Sequence, residues 1–200
     1  MIKSKSLKYR NVTVSGKICS GTTTLSGLLE KEFGWKHWSA GEFFRDYCKK
    51  HNLDLEMASD RSDELSKKVD YGMKESLEKK EKQIIEGWLS GFVAQGVKGV
   101  LKVLLICDDG LRIDRLVNRE RMGVNEAKEK IKTREYENAK KWTRVYKKEW
   151  SLWIPKDKQE VKTKEGWFDF WHPSLYDLVI DTYSNSREET LNLVLKELNL

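Results

Sequence analysis

The sequence predicts an α/β chain in which a parallel sheet carries helices on both faces. Short β-rich runs alternate with helical patterns along its length, the arrangement that crossover helices between parallel strands require. The longest apolar run, 100–107 (VLKVLLIC), is short and bounded by Gly99 and Asp108-Asp109-Gly110, as a buried strand would be. A loop rich in Gly, Ser and Thr joins the first β run to the first helical one.

The elements follow in order. Residues 11–15 (NVTVS) form a strand ending at Gly16, and 23–33 form a helix with Leu25, Leu28 and Leu29 on its apolar side. Residues 36–39 (KHWS) read as a second strand, stopped by Ala40-Gly41, and 42–51 as a helix. Across 55–80, Leu65, Val69, Met73 and Leu77 recur every fourth position, which predicts a helix laying one stripe on the core. Residues 83–87 (QIIEG) form the third strand and 100–107 the fourth. Residues 112–121 and 125–148 are helical, the latter heavily charged. Residues 178–182 (LVIDT) form a fifth strand and 188–198 a closing helix. The stretch 150–172 breaks this rhythm and reads as an insertion, a β-hairpin or an ordered loop. Its Trp150, Trp153, Trp167, Phe168, Phe170 and Trp171 are either a local mini-core or stacking surfaces for bases.

The chain has 200 residues, enough for a single domain with its own core, taken as 1–200. No apolar run reaches the roughly 18 residues that a membrane helix needs, and the basic start, 1–10, lacks the apolar region of a secretory signal. Net charge is +6, which suits a phosphate-bearing partner and equally a lysine-rich solvated surface. The cysteines (Cys19, Cys48, Cys107) and histidines (His37, His51, His172) are scattered. That argues against zinc and against a disulfide framework, and for a reducing, cytoplasmic setting.

The sharpest chemical signal is Gly16-Lys17-Ile18-Cys19-Ser20-Gly21-Thr22-Thr23-Thr24, between a strand and a helix. The two glycines let the backbone curl so that its N–H groups, with the helix N-terminus, face phosphate oxygens. Thr23 stands where such a loop places a hydroxyl on Mg²⁺. Thr22 occupies the usual lysine position, which removes a cation from the transferring phosphoryl group. Lys17 is a candidate substitute. The alternative is a Gly/Ser-rich turn with no ligand. Cys19 is either an oxidation-sensitive thiol activated by the helix N-terminus or a small residue tolerated there.

From this loop onward the chain resembles archaeal-type cytidylate kinases. Residues 12–41 (VTVSGKICSGTTTLSGLLEKEFGWKHWSAG) carry the likeness, which continues through 42–45, 85–87, 111–120, 125–142 and 174–182. Threonine commonly stands at the lysine position in that subgroup. The resemblance implies a three-layer P-loop NTPase fold with a five-stranded parallel sheet and transfer of the ATP γ-phosphate to CMP or dCMP with Mg²⁺. It also implies a helical monophosphate-binding part near 42–80 and a helical lid near 119–147. Gly16 to Thr24 and Arg115 would then bind the donor. Ser39, Gly41, Arg45, Asp70, Gly87, Trp88 and Lys141 would form the acceptor site. Lys17, Thr22, Arg119 and Arg134 would act on the transferring group, with Lys140 beside them on the lid. Without the resemblance, Arg115 and Arg119 read as surface salt bridges to Asp114 or Glu120.

The chain departs from that pattern on the acceptor side. Trp88 replaces an arginine after the third strand, Asp70 is followed by Tyr71-Gly72 rather than an arginine, and Asn138 and Lys141 replace a lid carboxylate and arginine. Each lost charge-assisted contact removes about 1.5–3 kcal/mol. Two other functions stay open: a kinase with another acceptor, and a weakly catalytic protein that binds nucleotide, or RNA through the basic lid and aromatic stretch.

Overall fold

The computed structural model describes residues 8–198, so most of the basic start lies outside the described residues. Five parallel strands form one sheet in the order β2-β3-β1-β4-β5. They are β1 (Asn11–Gly16), β2 (Lys36–Ser39), β3 (Gln83–Glu86), β4 (Val100–Ile106) and β5 (Leu178–Asp181). The predicted fold class holds, and every strand lies within a residue or two of its expected place.

Central β1 is buried along its whole length because both faces are covered. Val12 and Val14 join Leu25 and Leu29 of α1 (Thr22–Phe33) and Val194 and Leu198 of α8 (Arg187–Leu198). On the other face, Ser15 Oγ accepts from the Gly91 N–H at 2.8 Å, in α4 (Ser90–Val93), a helix the sequence reading missed. A Cβ on Gly91 would overlap the Tyr176 ring, so only glycine allows this approach.

Several expected boundaries move. The second strand stops at Ala40-Gly41 as expected, but the helix expected over 42–51 begins two residues earlier, as α2 (Ala40–His51), because Ser39 caps it by accepting from the Glu42 N–H at 3.2 Å. The helix expected over 55–80 is α3 (Asp63–Lys79), capped by Ser62; residues 53–62 are loop with one 3-10 turn, Ala58–Asp60. The helix expected over 112–121 begins a turn earlier, as α5 (Asp109–Glu120), because Asp108 caps it. The charged helix expected over 125–148 divides at Tyr146 into α6 (Val124–Val145) and α7 (Lys147–Trp153).

The aromatic stretch is neither a hairpin nor an exposed stacking surface. It starts inside α7 and carries one isolated antiparallel bridge, Lys162 to Phe168. Trp150 and Phe170 are fully buried, Trp150 stacks on Phe168 with centroids 4.4 Å apart, and Phe92 and Trp142 pack against the group. The mini-core reading holds, and this cluster is continuous with the main core. No helix among the described residues is long and apolar enough to cross a membrane.

Candidate active site

A cavity of about 920 Å³ runs from the glycine loop, across the C-terminal ends of the strands, to α3 and α6. This is where an open parallel sheet places ligands. The loop is tightly curled: Cys19 and Gly21 have φ of 60° and 103°, and a Cβ on Gly16 would strike Ser20 Oγ and the Leu105 carbonyl. The loop is braced from outside. Arg112 Nε donates to the Ile18 carbonyl at 2.7 Å, and Arg115 Nη1 to the Cys19 carbonyl at 3.0 Å. Thr182, just after β5, donates to the Ser20 carbonyl at 2.8 Å and receives Arg115 at 3.2 Å. Arg115 thus sits at the loop's rim as a brace. Arg119 lines the cavity and pairs with Glu120 at 2.7 Å, as the salt-bridge alternative expected. Burial pushes the Cys19 thiol up, outweighing Arg119, Arg112 and Arg115, so the activated-thiol reading does not hold.

Glu86, at the end of β3, is a site residue that sequence reasoning missed. Its Oε1 accepts from Thr22 Oγ1 at 2.9 Å and from Thr23 Oγ1 at 2.7 Å. Its buried Oε2 accepts no hydrogen bond and lies 3.5 Å from His37 Nε2. Burial pushes the Glu86 carboxyl up, yet His37 and the Thr23 and Thr22 hydroxyls hold it below the usual carboxylate range. Glu86 in turn raises His37, whose other ring nitrogen faces Glu30 at 3.7 Å.

The far end of the cavity is cationic. Gly41 leaves room for Arg45: a Cβ there would lie 3.3 Å from Arg45 Nη1. At Gly87 a Cβ would meet Ala40 Cβ at 2.9 Å, so glycine lets β3 pass α2. The Arg134 guanidinium lies 5.2 Å from the Trp88 ring centroid. Trp88 meets Trp142 and Trp171 edge-on at 5.5 and 5.9 Å, so it belongs to an aromatic cluster as well as to the cavity wall. Asp70 is buried against the Tyr146 hydroxyl, and burial pushes its carboxyl up to about 7 against the pull of Tyr146 and Lys141. Arg61, also missed from sequence, is buried and lines the cavity.

Some expected positions differ. Lys141 Nζ donates to the Ala58 carbonyl at 3.0 Å and to the Arg61 carbonyl, so it ties α6 to loop 53–62 while lining the cavity. Lys140 is exposed beside Tyr136, away from the cavity. Lys17 lies 3.9 Å from Glu135 and 5.7 Å from the Trp171 centroid, at the cavity rim.

A strand–glycine loop–helix unit with two helix-borne hydroxyls on a buried carboxylate, in a five-stranded parallel sheet, defines a P-loop protein of kinase fold. The solved structure of a gluconokinase from Sinorhizobium meliloti superposes with a TM-score of 0.53 at 13% identity, covering 96% of this chain and 92% of that one. A family model described as an AAA domain matches residues 12–151. A cytidylate kinase from Methanopyrus kandleri is 32% identical over 195 residues, covering 92% of this chain and 90% of that protein. One from Pyrococcus abyssi is 32% identical over 186 residues, with the same coverage. The chain therefore belongs to the cytidylate kinase family.

Proposed function

We propose that this chain transfers the terminal phosphoryl group of ATP to CMP or dCMP, forming ADP and the nucleoside diphosphate. The observation that carries this reading is the joining of a phosphate-cradling loop and a cationic pocket with a buried carboxyl in one cavity. The loop N–H groups and the N-terminus of α1 hold the donor phosphates. Arg115 at the rim lies against the donor base. Thr23 and Glu86 would hold Mg²⁺: Thr23 Oγ1 and Glu86 Oε1 lie 2.7 Å apart on the cavity wall and are the hard oxygen donors such an ion takes. The ion, when bound, neutralises charge on the donor phosphates.

The acceptor phosphate lies among Arg45, Arg134 and the Ser39–Gly41 turn, and one of its oxygens attacks the γ-phosphorus as ADP leaves. Thr22 cannot supply the positive charge of the usual lysine, so Lys17, Arg119 and Arg134 offset the charge spread over the transferring group. Asp70 explains a preference for cytosine. Tyr146 donates to its Oδ2, which leaves Oδ1 to accept from the 4-amino group. Once the Asp70 carboxyl is ionised, above about pH 7, the oxygen that uracil offers there sets acceptor against acceptor. Asp70→Asn is expected to raise KM for CMP by roughly 10²-fold and erase the preference over UMP. An unchanged CMP-to-UMP ratio would remove Asp70 from recognition.

A further inference from the structure

The glycine loop has Thr22 where such loops carry a lysine, and the Thr22 hydroxyl is taken up by Glu86 at 2.9 Å. Within residues 16–24 the one cation is Lys17. Its side chain lines the cavity and is 46% exposed, so nothing buries it into a single rotamer. A long, half-solvated ammonium keeps its charge but must be ordered before it can meet a phosphate. Two contacts supply that order. Lys17 Nζ lies 5.7 Å from the Trp171 ring centroid, within cation–π range, and 3.9 Å from Glu135 Oε2. The other Glu135 oxygen is paired with Arg112, which also braces the Ile18 carbonyl. Arg112 therefore meets the Glu135 charge first, and Glu135 directs Lys17 without neutralising it.

The Trp171 ring is itself fixed. It is buried and meets Trp88 and Trp142 edge-on at 5.9 and 6.0 Å, and its backbone N–H donates to Asp169 Oδ1 at 3.1 Å. The preceding Phe170 is fully buried, and its carbonyl accepts from the Tyr176 hydroxyl at 2.7 Å. Trp171 is not among the residues that line the cavity, so any effect on the reaction passes through Lys17. It also belongs to 150–172, which falls between the parts that carry the family likeness, 125–142 and 174–182.

We infer that Trp171 is a positioning residue for phosphoryl transfer. Its indole face, with Glu135, holds the Lys17 ammonium toward the terminal phosphate of the donor, in place of the lysine that Thr22 replaces. The aromatic stretch thus serves the site as well as the core. This placement rests on the reading of Lys17 as the substitute cation.

A double-mutant cycle between Lys17 and Trp171 tests it. Lys17→Met is expected to lower kcat roughly 10²-fold and to bring the affinities for ATP and ADP, each with Mg²⁺, close together, because the lost cation meets the terminal phosphate. Trp171→Leu removes the π face and keeps an apolar side chain. It should lower kcat roughly three- to thirtyfold with KM for CMP unchanged, and Trp171→Phe should recover part of that loss. In the Lys17→Met background, Trp171→Leu should cost nothing further. The same loss in both backgrounds would make Trp171 a core residue only, and an unchanged kcat and ATP-to-ADP affinity ratio in Lys17→Met would overturn the assignment at its root. If the leucine variant does not fold, Trp171→Phe carries the cycle under the same criterion. A wild type that binds ATP but phosphorylates no monophosphate would end the kinase reading, and the affinity ratio, measured by calorimetry on the same four proteins, then decides for Trp171. A ratio that Trp171→Leu lowers in the wild type and leaves alone in Lys17→Met supports the positioning role; a ratio that neither substitution moves overturns it.

Discussion

Glu86 accepts the hydroxyls of the two threonines that follow the glycine loop, so one buried carboxylate sets the orientation of both. Glu86→Gln keeps the shape and loses the charge, and is expected to lower kcat roughly 10–100-fold with an unchanged melting temperature. Steady-state kinetics beside thermal melting checks this. Asp70 makes a different prediction. Its carboxyl is raised by burial from 3.8 to about 7. Between those values the folded state keeps a proton that the unfolded chain has released, so stability falls as pH rises through this window and is flat above it. Asp70→Asn lacks this decline. Its stability relative to wild type should grow from pH 4 to 7 in denaturant titrations, and parallel curves would contradict the assignment. At this scale the sequence was only partly legible. The threonines lie in a spaced motif, whereas Glu86, Arg61 and Arg112 are isolated charges whose roles depend on what the fold brings against them. Glu86 lies within QIIEG, but nothing in a strand's alternation says that its last side chain meets a loop more than 60 positions earlier.

At the scale of elements, strands were legible because short apolar runs between turn residues leave few alternatives. Helix ends were less so. The four-residue stripe from Leu65 to Leu77 is real, but extending it back to Leu55 overlooked Ser62-Asp63-Glu64, an N-cap followed by acidic residues. That error hid the loop carrying Arg61. The break between α6 and α7 lies at Tyr146, which is fully buried with its hydroxyl on Asp70, a tertiary constraint that helical periodicity does not contain. The aromatic stretch after the break is core, so Trp150→Ala should destabilise the protein by roughly 3–5 kcal/mol in equilibrium unfolding. A loss below about 1 kcal/mol, the scale of a surface substitution, would mean that the ring is not part of the core.

At the scale of the molecule, the strand order puts β1 between β3 and β4, so the glycine loop, Glu86 and the rim residue Thr182 converge on one edge of the sheet. The loop 53–62 and α6 close over that edge from the other side, bringing Arg61, Arg134 and Asp70 within one cavity. The alternation of elements made the sheet predictable; the cationic pocket was not, because its members are spread from position 45 to 134 and meet only after folding. The central claim is that donor and acceptor phosphates are brought together in this cavity. The most direct measurement is ADP formation from ATP-Mg²⁺ by the purified protein with CMP, dCMP, UMP, AMP or GMP, alongside Thr23→Ala. Turnover confined to CMP and dCMP, and lost in Thr23→Ala, is the predicted result. ATP binding without turnover of any of these acceptors would contradict the account.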